Sequence, residues 1–200
     1  MKRQIEQIIN IIIYSPLWIY FNILGYKKIG QEAIIWNKIL PIPKFNSKFL
    51  REIWLLGNLS EFRSLLFFRY KTYKFNILKW LYPGTPNLYI PYSQKIGHGL
   101  IIQHGFSTIF NAEKIGHNCQ VWHCVTIGKA HSGLNMPRPT IGNNVKICCN
   151  ATILGGITIG DNVTIGAASV ITKSVPSNCT VVGNPAKIII KEGKRVNIPL

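Results

Sequence analysis

Residues 141–176 read IGNNVK ICCNAT ILGGIT IGDNVT IGAASV ITKSVP. An isoleucine opens each hexapeptide, at Ile141, Ile147, Ile153, Ile159, Ile165 and Ile171, and a small or branched residue follows four positions later, from Val145 and Ala151 through to Ser169 and Val175. A period of six fits neither an amphipathic helix nor a two-faced strand, whose periods are about 3.6 and 2. It fits a short parallel strand, a tight turn and a change of direction, repeated. The residues between the aliphatic positions, among them Asn143, Asn144, Gly155, Gly160, Asp161 and Asn162, suit such corners. The stretch therefore predicts a parallel β-helix.

The spacing extends backwards through Ile127, Val121, Ile115 and Ile109, and before them through Ile102, Ile96 and Ile90. Two interruptions break it: one extra residue between Ile102 and Ile109, and a 14-residue step from Ile127 to Ile141. Three hexapeptides make one triangular coil, so residues 88 to 188 would hold roughly five coils stacked about 4.8 Å apart. The aliphatic residues become inward ladders, and the insertions leave the prism as loops.

The formal charge of +16 is the unusual feature of a composition that is otherwise globular, 47% hydrophobic and 11% aromatic. Nucleic acid is not the expected partner, because no basic run, helix-turn-helix pattern or aromatic stacking motif accompanies the charge. A phosphorylated cofactor, an acidic glycan or an anionic membrane surface accounts for it equally well. Cys119, Cys124, Cys148, Cys149 and Cys179 are odd in number and lack metal-ligand spacing. They read as packed thiols in a reducing compartment, which points to the cytoplasm.

Ahead of the repeat, residues 1–87 read as helical. No charged side chain occurs from Gln7 to Tyr26, a run long enough to span a bilayer. Asn10, Ser15, Pro16, Asn22 and the interfacial aromatics oppose spanning. Three readings stay open for residues 7–26: packing on protein, peripheral membrane contact and a span. Ser60-Glu61 reads as a cap opening a helix from Phe62 to Trp80, and Pro83, Gly84 and Pro86 end the helical part. Residues 191–200 read as a C-terminal tail.

All five histidines lie in the repeat. His104 falls two residues after Ile102 and His123 two after Val121, so the count predicts a stacked pair on adjacent coils, suited to a base and its orienter. His98 and His117 sit in glycine-flanked corners and read as solvated turns. Lys129 to Thr140, which carries His131, is too polar and Pro-rich for a strand and reads as a functional loop. His104, His123 and His131 could approach one another, but no carboxylate or thiol is placed to complete a metal site, and none is expected. No phosphate-binding loop or dinucleotide fingerprint is present.

Ile96-Gly-His-Gly-Leu-Ile-Ile-Gln-His104-Gly, Val125-Thr-Ile-Gly128, the hexapeptides and Val182-Gly-Asn-Pro-Ala-Lys187 resemble the serine acetyltransferase branch of the hexapeptide acyltransferases. The resemblance covers residues 88–190. It implies a left-handed coil, although parallel crossovers are almost always right-handed. It also implies a homotrimer with active sites between prisms, acetyl-CoA as acyl donor and His104 as the catalytic base. Backbone N–H groups near Gly128 and Lys129 would hold the oxyanion. Cys149 and Ala167 would line the pantetheine path, and Thr172, Lys173 and Lys187 would meet the rest of the cofactor.

Three departures bear on the acceptor. The aspartate that precedes the family's catalytic histidine is here Gln103, a second aspartate that pairs with that histidine is Tyr89, and a loop histidine is Arg138. With His131, these residues form the expected acceptor subsite. The changes favour a hydroxyl of a capsular or other surface polysaccharide over serine, with His123 supporting His104 in place of the lost aspartate. Serine acetylation for cysteine synthesis is the alternative, and a non-catalytic scaffold a further one. The expected location is the cytoplasm, at the inner face of the membrane.

Overall fold

Six-residue spacing closes a triangle, and the inward residues stack in register. The computed structural model describes residues 2–23, 28–71, 76–131 and 136–200, in two units, Met1–Thr85 and Pro86–Leu200. The second unit is a left-handed prism with three parallel faces. The first face holds β1 (Lys95–Ile96), β4 (Lys114–Ile115), β7 (Thr140–Ile141) and β10 (Thr158–Ile159). The second holds β2 (Ile101–Ile102), β5 (Gln120–Val121), β8 (Lys146–Ile147), β11 (Thr164–Ile165) and β13 (Cys179–Val182). The third holds β3 (Ile109–Phe110), β6 (Thr126–Gly128), β9 (Thr152–Leu154) and β12 (Val170–Ile171).

Ile102, Val121, Ile147, Ile165 and Val181 form the inward ladder of the second face, all almost wholly buried. On the third face the expected ladder is corrected by one residue. Phe110, not Ile109, lies over Ile127, Ile153 and Ile171, and Ile109 points outward at 41% exposure. The corner after β2 takes two extra residues and the next corner takes one fewer, so counting from Ile102 alone misplaces the strand between them.

The first edge, between the first and second faces, is held by a ladder of side chains capping backbone N–H groups. His117 Nδ1 accepts from His98 N at 3.1 Å, Asn143 Oδ1 from His117 N at 2.9 Å, and Asp161 Oδ1 from Asn143 N at 2.6 Å. His98 and His117 are thus structural corner residues. Asn118, Asn144, Asn162 and Asn178 take left-handed backbone here, with φ of 55 to 59°, which explains asparagine at each. A Cβ on Gly116 would sit 2.4 Å from the Gly142 carbonyl oxygen, so the coils stack too closely for a side chain there.

Residues 191–200 are not a free tail. β14 (Lys187–Lys191) turns antiparallel on β13, and β15 (Lys194–Pro199) pairs with β14. Glu192 and Gly193 both have positive φ, 49 and 74°, which matches the two-residue turn that a twisted hairpin favours. All five cysteines are free thiols. Burial pushes the Cys119 thiol up to about 11, leaving it inert at neutral pH.

The first unit packs α1 (Lys2–Ile23), α2 (Lys28–Ile39), α3 (Lys48–Asn58), α4 (Ser60–Arg69) and α5 (Asn76–Leu81) around Leu17, Phe21, Trp36, Leu55, Phe62 and Leu65, all 0% exposed. The helix expected over 62–80 is two helices: α4 ends at Arg69, Lys71 has φ of 48°, and residues 72–75 lie outside the described set. Ser60 is the first helical residue rather than a cap, its hydroxyl 3.0 Å from Thr85 Oγ1. α1 continues through Pro16. Of the three readings of 7–26, packing on protein holds for one side of α1 as far as Ile23, with 24–26 outside the described set: Trp18 Nε1 donates to Glu52 Oε2 at 2.8 Å, and the Arg63 guanidinium lies 5.5 Å from the Tyr14 ring centre. Glu32 and Arg69 form a buried ion pair at 2.9 Å.

Candidate active site

The second edge, between the second and third faces, carries the histidine pair. The extra residues bulge the first coil there: His104 and Ser107 both adopt left-handed backbone, with φ of 57 and 53°. The succeeding coils turn on single left-handed residues, Cys124, Asn150 and Ala168. The bulge moves His104 out of line with His123. Phe106 takes the stacked place instead, its ring 4.8 Å from the His123 ring at an interplanar angle of 19°. His104 lies beside this stack, 6.1 Å from His123 and tilted by 65°. The two imidazoles meet edge to face and share no hydrogen bond, so the expected base-to-orienter hydrogen bond is absent. His104 is exposed, while His123 Nδ1 is buried without a hydrogen-bond partner.

Above them the edge tapers. Asn150 N donates to the His123 carbonyl and Ala168 N to the Cys149 carbonyl, which stacks Phe106, His123, Cys149 and Ala167 one coil apart. Side chains shrink from aromatic to methyl along this line. The edge leaves room for an extended ligand arm beside His104, and Lys187, opposite Val182, lies at its far end. Gln103, half-buried, follows β2 directly, and Tyr89, 58% exposed, bridges Ile109 on the third face.

The remaining expected residues lie on the third edge, between the third and first faces. Gly128, Lys129 and His131 leave β6 there, Arg138 returns there, and Thr172 and Lys173 follow β12 there. One face of the prism separates His123 from Gly128, five residues that turn at Cys124 and span at most about 16 Å. Within one prism His131 therefore cannot join His104 and His123, and the expected approach of the three histidines is corrected. Among the described residues no three metal-ligating side chains converge.

The third edge is more structured than a loop root. Arg138 donates to Glu113 Oε2 at 2.6 Å, and Lys95 lies 3.7 Å from Glu113 Oε1. Glu113 N donates to the Pro139 carbonyl, and Pro137 covers Gly156, where a Cβ would meet it at 2.6 Å. Arg138, expected to meet the acceptor, is held by Glu113. Residues 132–135 of the expected loop lie outside the described set. Lys173 donates to the Leu200 carbonyl at 2.9 Å, so its charge is already engaged. Gly128 is buried and paired with Leu154, while a Cβ on it would meet nothing within 4 Å.

Arg138 holds the Glu113 carboxyl below the usual carboxylate range, with Lys95 a smaller contributor. A carboxyl depressed on folding adds stability above its unfolded value and loses it as pH falls through the folded one. Arg138→Ala is therefore expected to raise the Glu113 titration midpoint and move the acid unfolding limb to higher pH, as carboxyl NMR titration and acid denaturation would read.

Phe106 and Glu113 are functional neighbours that sequence reasoning missed. The one-residue insertion before Ile109 was the available signal for the first. The second needed the pairing of Lys114 with Thr140, which puts Glu113 beside Pro139.

The prism resembles that of the hexapeptide-repeat transferases: residues 138–173 match the family described as bacterial transferase hexapeptide (six repeats). In sequence the chain is similar to their serine acetyltransferase branch. It is 40% identical over 104 residues to the serine acetyltransferase of Synechococcus elongatus, covering 52% of this chain and 43% of that one. It is 43% identical over 103 residues to that of Staphylococcus epidermidis, covering 51% and 48%. The chain thus spans a little under half the length of these curated relatives. The Neisseria gonorrhoeae serine acetyltransferase in complex with serine superposes with a TM-score of 0.64 at 26% identity, covering 82% of this chain and 68% of that one.

Proposed function

We propose that the protein is an acetyl-CoA-dependent O-acetyltransferase. The observation that carries this reading is His104, an exposed imidazole beside a tapering edge. In this reading His104 takes the proton of an acceptor hydroxyl as its oxygen attacks the thioester carbonyl. The C–S bond then breaks, and coenzyme A leaves as the thiol once it has regained a proton. His123 and Phe106 limit where the His104 ring can lie. Lys129 and Lys187 suit the cofactor's phosphates, and Cys149 and Ala167 leave space for its arm.

The two half-sites on separate edges of one prism, at most about 16 Å apart, support a closed ring. If the second edge of one copy meets the third edge of the next, every copy contributes both halves, the arrangement of a cyclic homotrimer. Backbone N–H groups at Gly128 and Lys129 would then face the reacting carbonyl from the neighbouring copy. The reaction would take place in the cytoplasm, where acetyl-CoA is available.

Serine is the acceptor that the relatives' names support best, ahead of the polysaccharide hydroxyl expected from the three substitutions. One observation favours the second reading. The prism unit has three acidic residues, Glu113, Asp161 and Glu192, and each is already bonded: to Arg138, to Asn143 and to Asn178 respectively. None of the three lies on the second edge beside His104 to receive a serine ammonium, whereas a neutral sugar hydroxyl needs none. The test is release of coenzyme A thiol from acetyl-CoA by the full chain, with L-serine, sugar nucleotides or surface oligosaccharides. Serine-dependent release supports the first acceptor and glycan-dependent release the second. No acceptor-dependent release overturns acetyl transfer.

A further inference from the structure

Helix α1 carries apolar residues on both sides. Its inward side holds Leu17 and Phe21, both 0% exposed, with Asn10 against Gly57, Tyr14 beneath Arg63 and Trp18 donating to Glu52. Its isoleucines face outward. From Ile8 onward every exposed residue of the helix is apolar: Ile8, Ile9, Ile12, Ile13, Ile19 and Ile23, with Pro16 among them. Ile12 is 70% and Ile23 77% exposed. The spacing follows the helical repeat, so these side chains form one stripe, with Ile5 extending it to about 27 Å. Tyr82, directly after α5, packs on Tyr14 with ring centres 5.6 Å apart, which brings α5 to the middle of α1. Trp80 on α5 is 78% exposed. An unbroken apolar stripe of this length on a protein surface marks a site that something covers.

Charge decides between the candidates. Residues 1–85 carry 13 Lys and Arg against 4 Glu, and two of those four, Glu32 and Glu52, are 0% exposed. Lys2 and Arg3 open the helix, and Lys27 and Lys28 follow it in sequence. Residues 86–200 are basic as well, 10 against 3. A second copy of this chain would bring the same excess of positive charge to this face, whereas an anionic lipid surface complements it. An outward tryptophan suits the level of the lipid headgroups. Among the described residues no helix is long and apolar enough to cross a membrane, and the inward side of α1 is committed to α3 and α4.

We propose that the outward face of α1, with Trp80, docks on an anionic lipid membrane, the helix lying in the interfacial plane. This rests on the first unit alone and is independent of the acetyl-transfer reading.

The experiment is flotation of the full chain with vesicles of phosphatidylcholine alone and of phosphatidylcholine mixed with phosphatidylglycerol, at low and high salt. It includes the double variant Ile12→Glu, Ile19→Glu, with helix content by circular dichroism and mass by light scattering checked for both proteins. The expected result is about tenfold more protein bound to the anionic vesicles than to the neutral ones, reduced by salt. The double variant should keep its helix content and mass and lose that binding. Absence of binding to anionic vesicles overturns the proposal. So does a wild-type particle about twice the mass of the double variant's without lipid, which would assign the face to a second copy.

Discussion

His104→Ala is expected to lower the turnover of acetyl-CoA about a thousandfold while leaving the thermal transition unchanged, a loss of about 4 kcal/mol of transition-state stabilisation. The separation of the two effects follows from position. His104 is exposed, its side chain makes no hydrogen bond among the described residues, and its left-handed backbone lies in a bulge that stacks on no coil below. Alanine removes the exposed imidazole that this reading makes the proton acceptor, while His123 Nδ1 stays buried. The measurement is coenzyme A release under saturating substrates beside a melting curve for each protein. A variant that keeps a tenth or more of the wild-type rate would move the base elsewhere and leave His104 a corner residue. His123→Phe is the informative companion, because it retains the stack on Phe106 and removes the buried Nδ1 atom.

Phe110→Ala is expected to cost about 3 to 5 kcal/mol of unfolding free energy, and Ile109→Ala less than about 1 kcal/mol. Phe110 is 0% exposed and closes the ladder under Ile127, whereas Ile109 faces outward. Truncating the ring opens a cavity in a prism whose coils cannot collapse toward one another, since their backbone hydrogen bonds hold the spacing. Urea unfolding of both variants reads the difference. Equal costs would show that the third face starts one residue earlier and that the corner after β2 has a single extra residue.

That pair of residues also shows where the sequence is ambiguous. The ladders from Ile141 to Ile171 are legible because an inward position recurs every sixth residue and polar residues flank it. At 109–110 two large apolar residues stand side by side, and one insertion can be assigned to either corner around them. Counting forward from Ile102 also aligns His104 with His123. Counting back from Phe110 puts Phe106 there, and the stacking at 4.8 Å agrees with the second count. The step from Ile127 to Ile141 announces a loop, but Arg138 and Glu113 become partners only once the pairing of Lys114 with Thr140 is known.

For α1 a helical wheel separates isoleucines from polar residues without saying which side is inward. Ordinary hydrophobicity would bury the isoleucines. The side that is buried instead carries Leu17 and Phe21, with Trp18 bonded to Glu52 and Tyr14 against Arg63, and the isoleucines lie opposite it. The hairpin at Glu192-Gly193 was readable in principle from its two-residue turn, yet the short basic run around it looked like a tail.

The hairpin of β14 and β15 also decides whether these molecules can polymerise. A parallel coil is self-templating: the open end of each face offers unpaired backbone groups in the direction and spacing that another coil would need. At β13 the chain reverses into β14 and reverses again into β15, so the last strand of the second face runs in the same direction as β13, bears Lys194 and Arg195, and ends at Pro199, which has no N–H to donate. An incoming prism meets a like charge and a missing donor on that face, not a reversed strand. Growth by stacking on that face is opposed by charge, so the number of coils there is settled within each molecule.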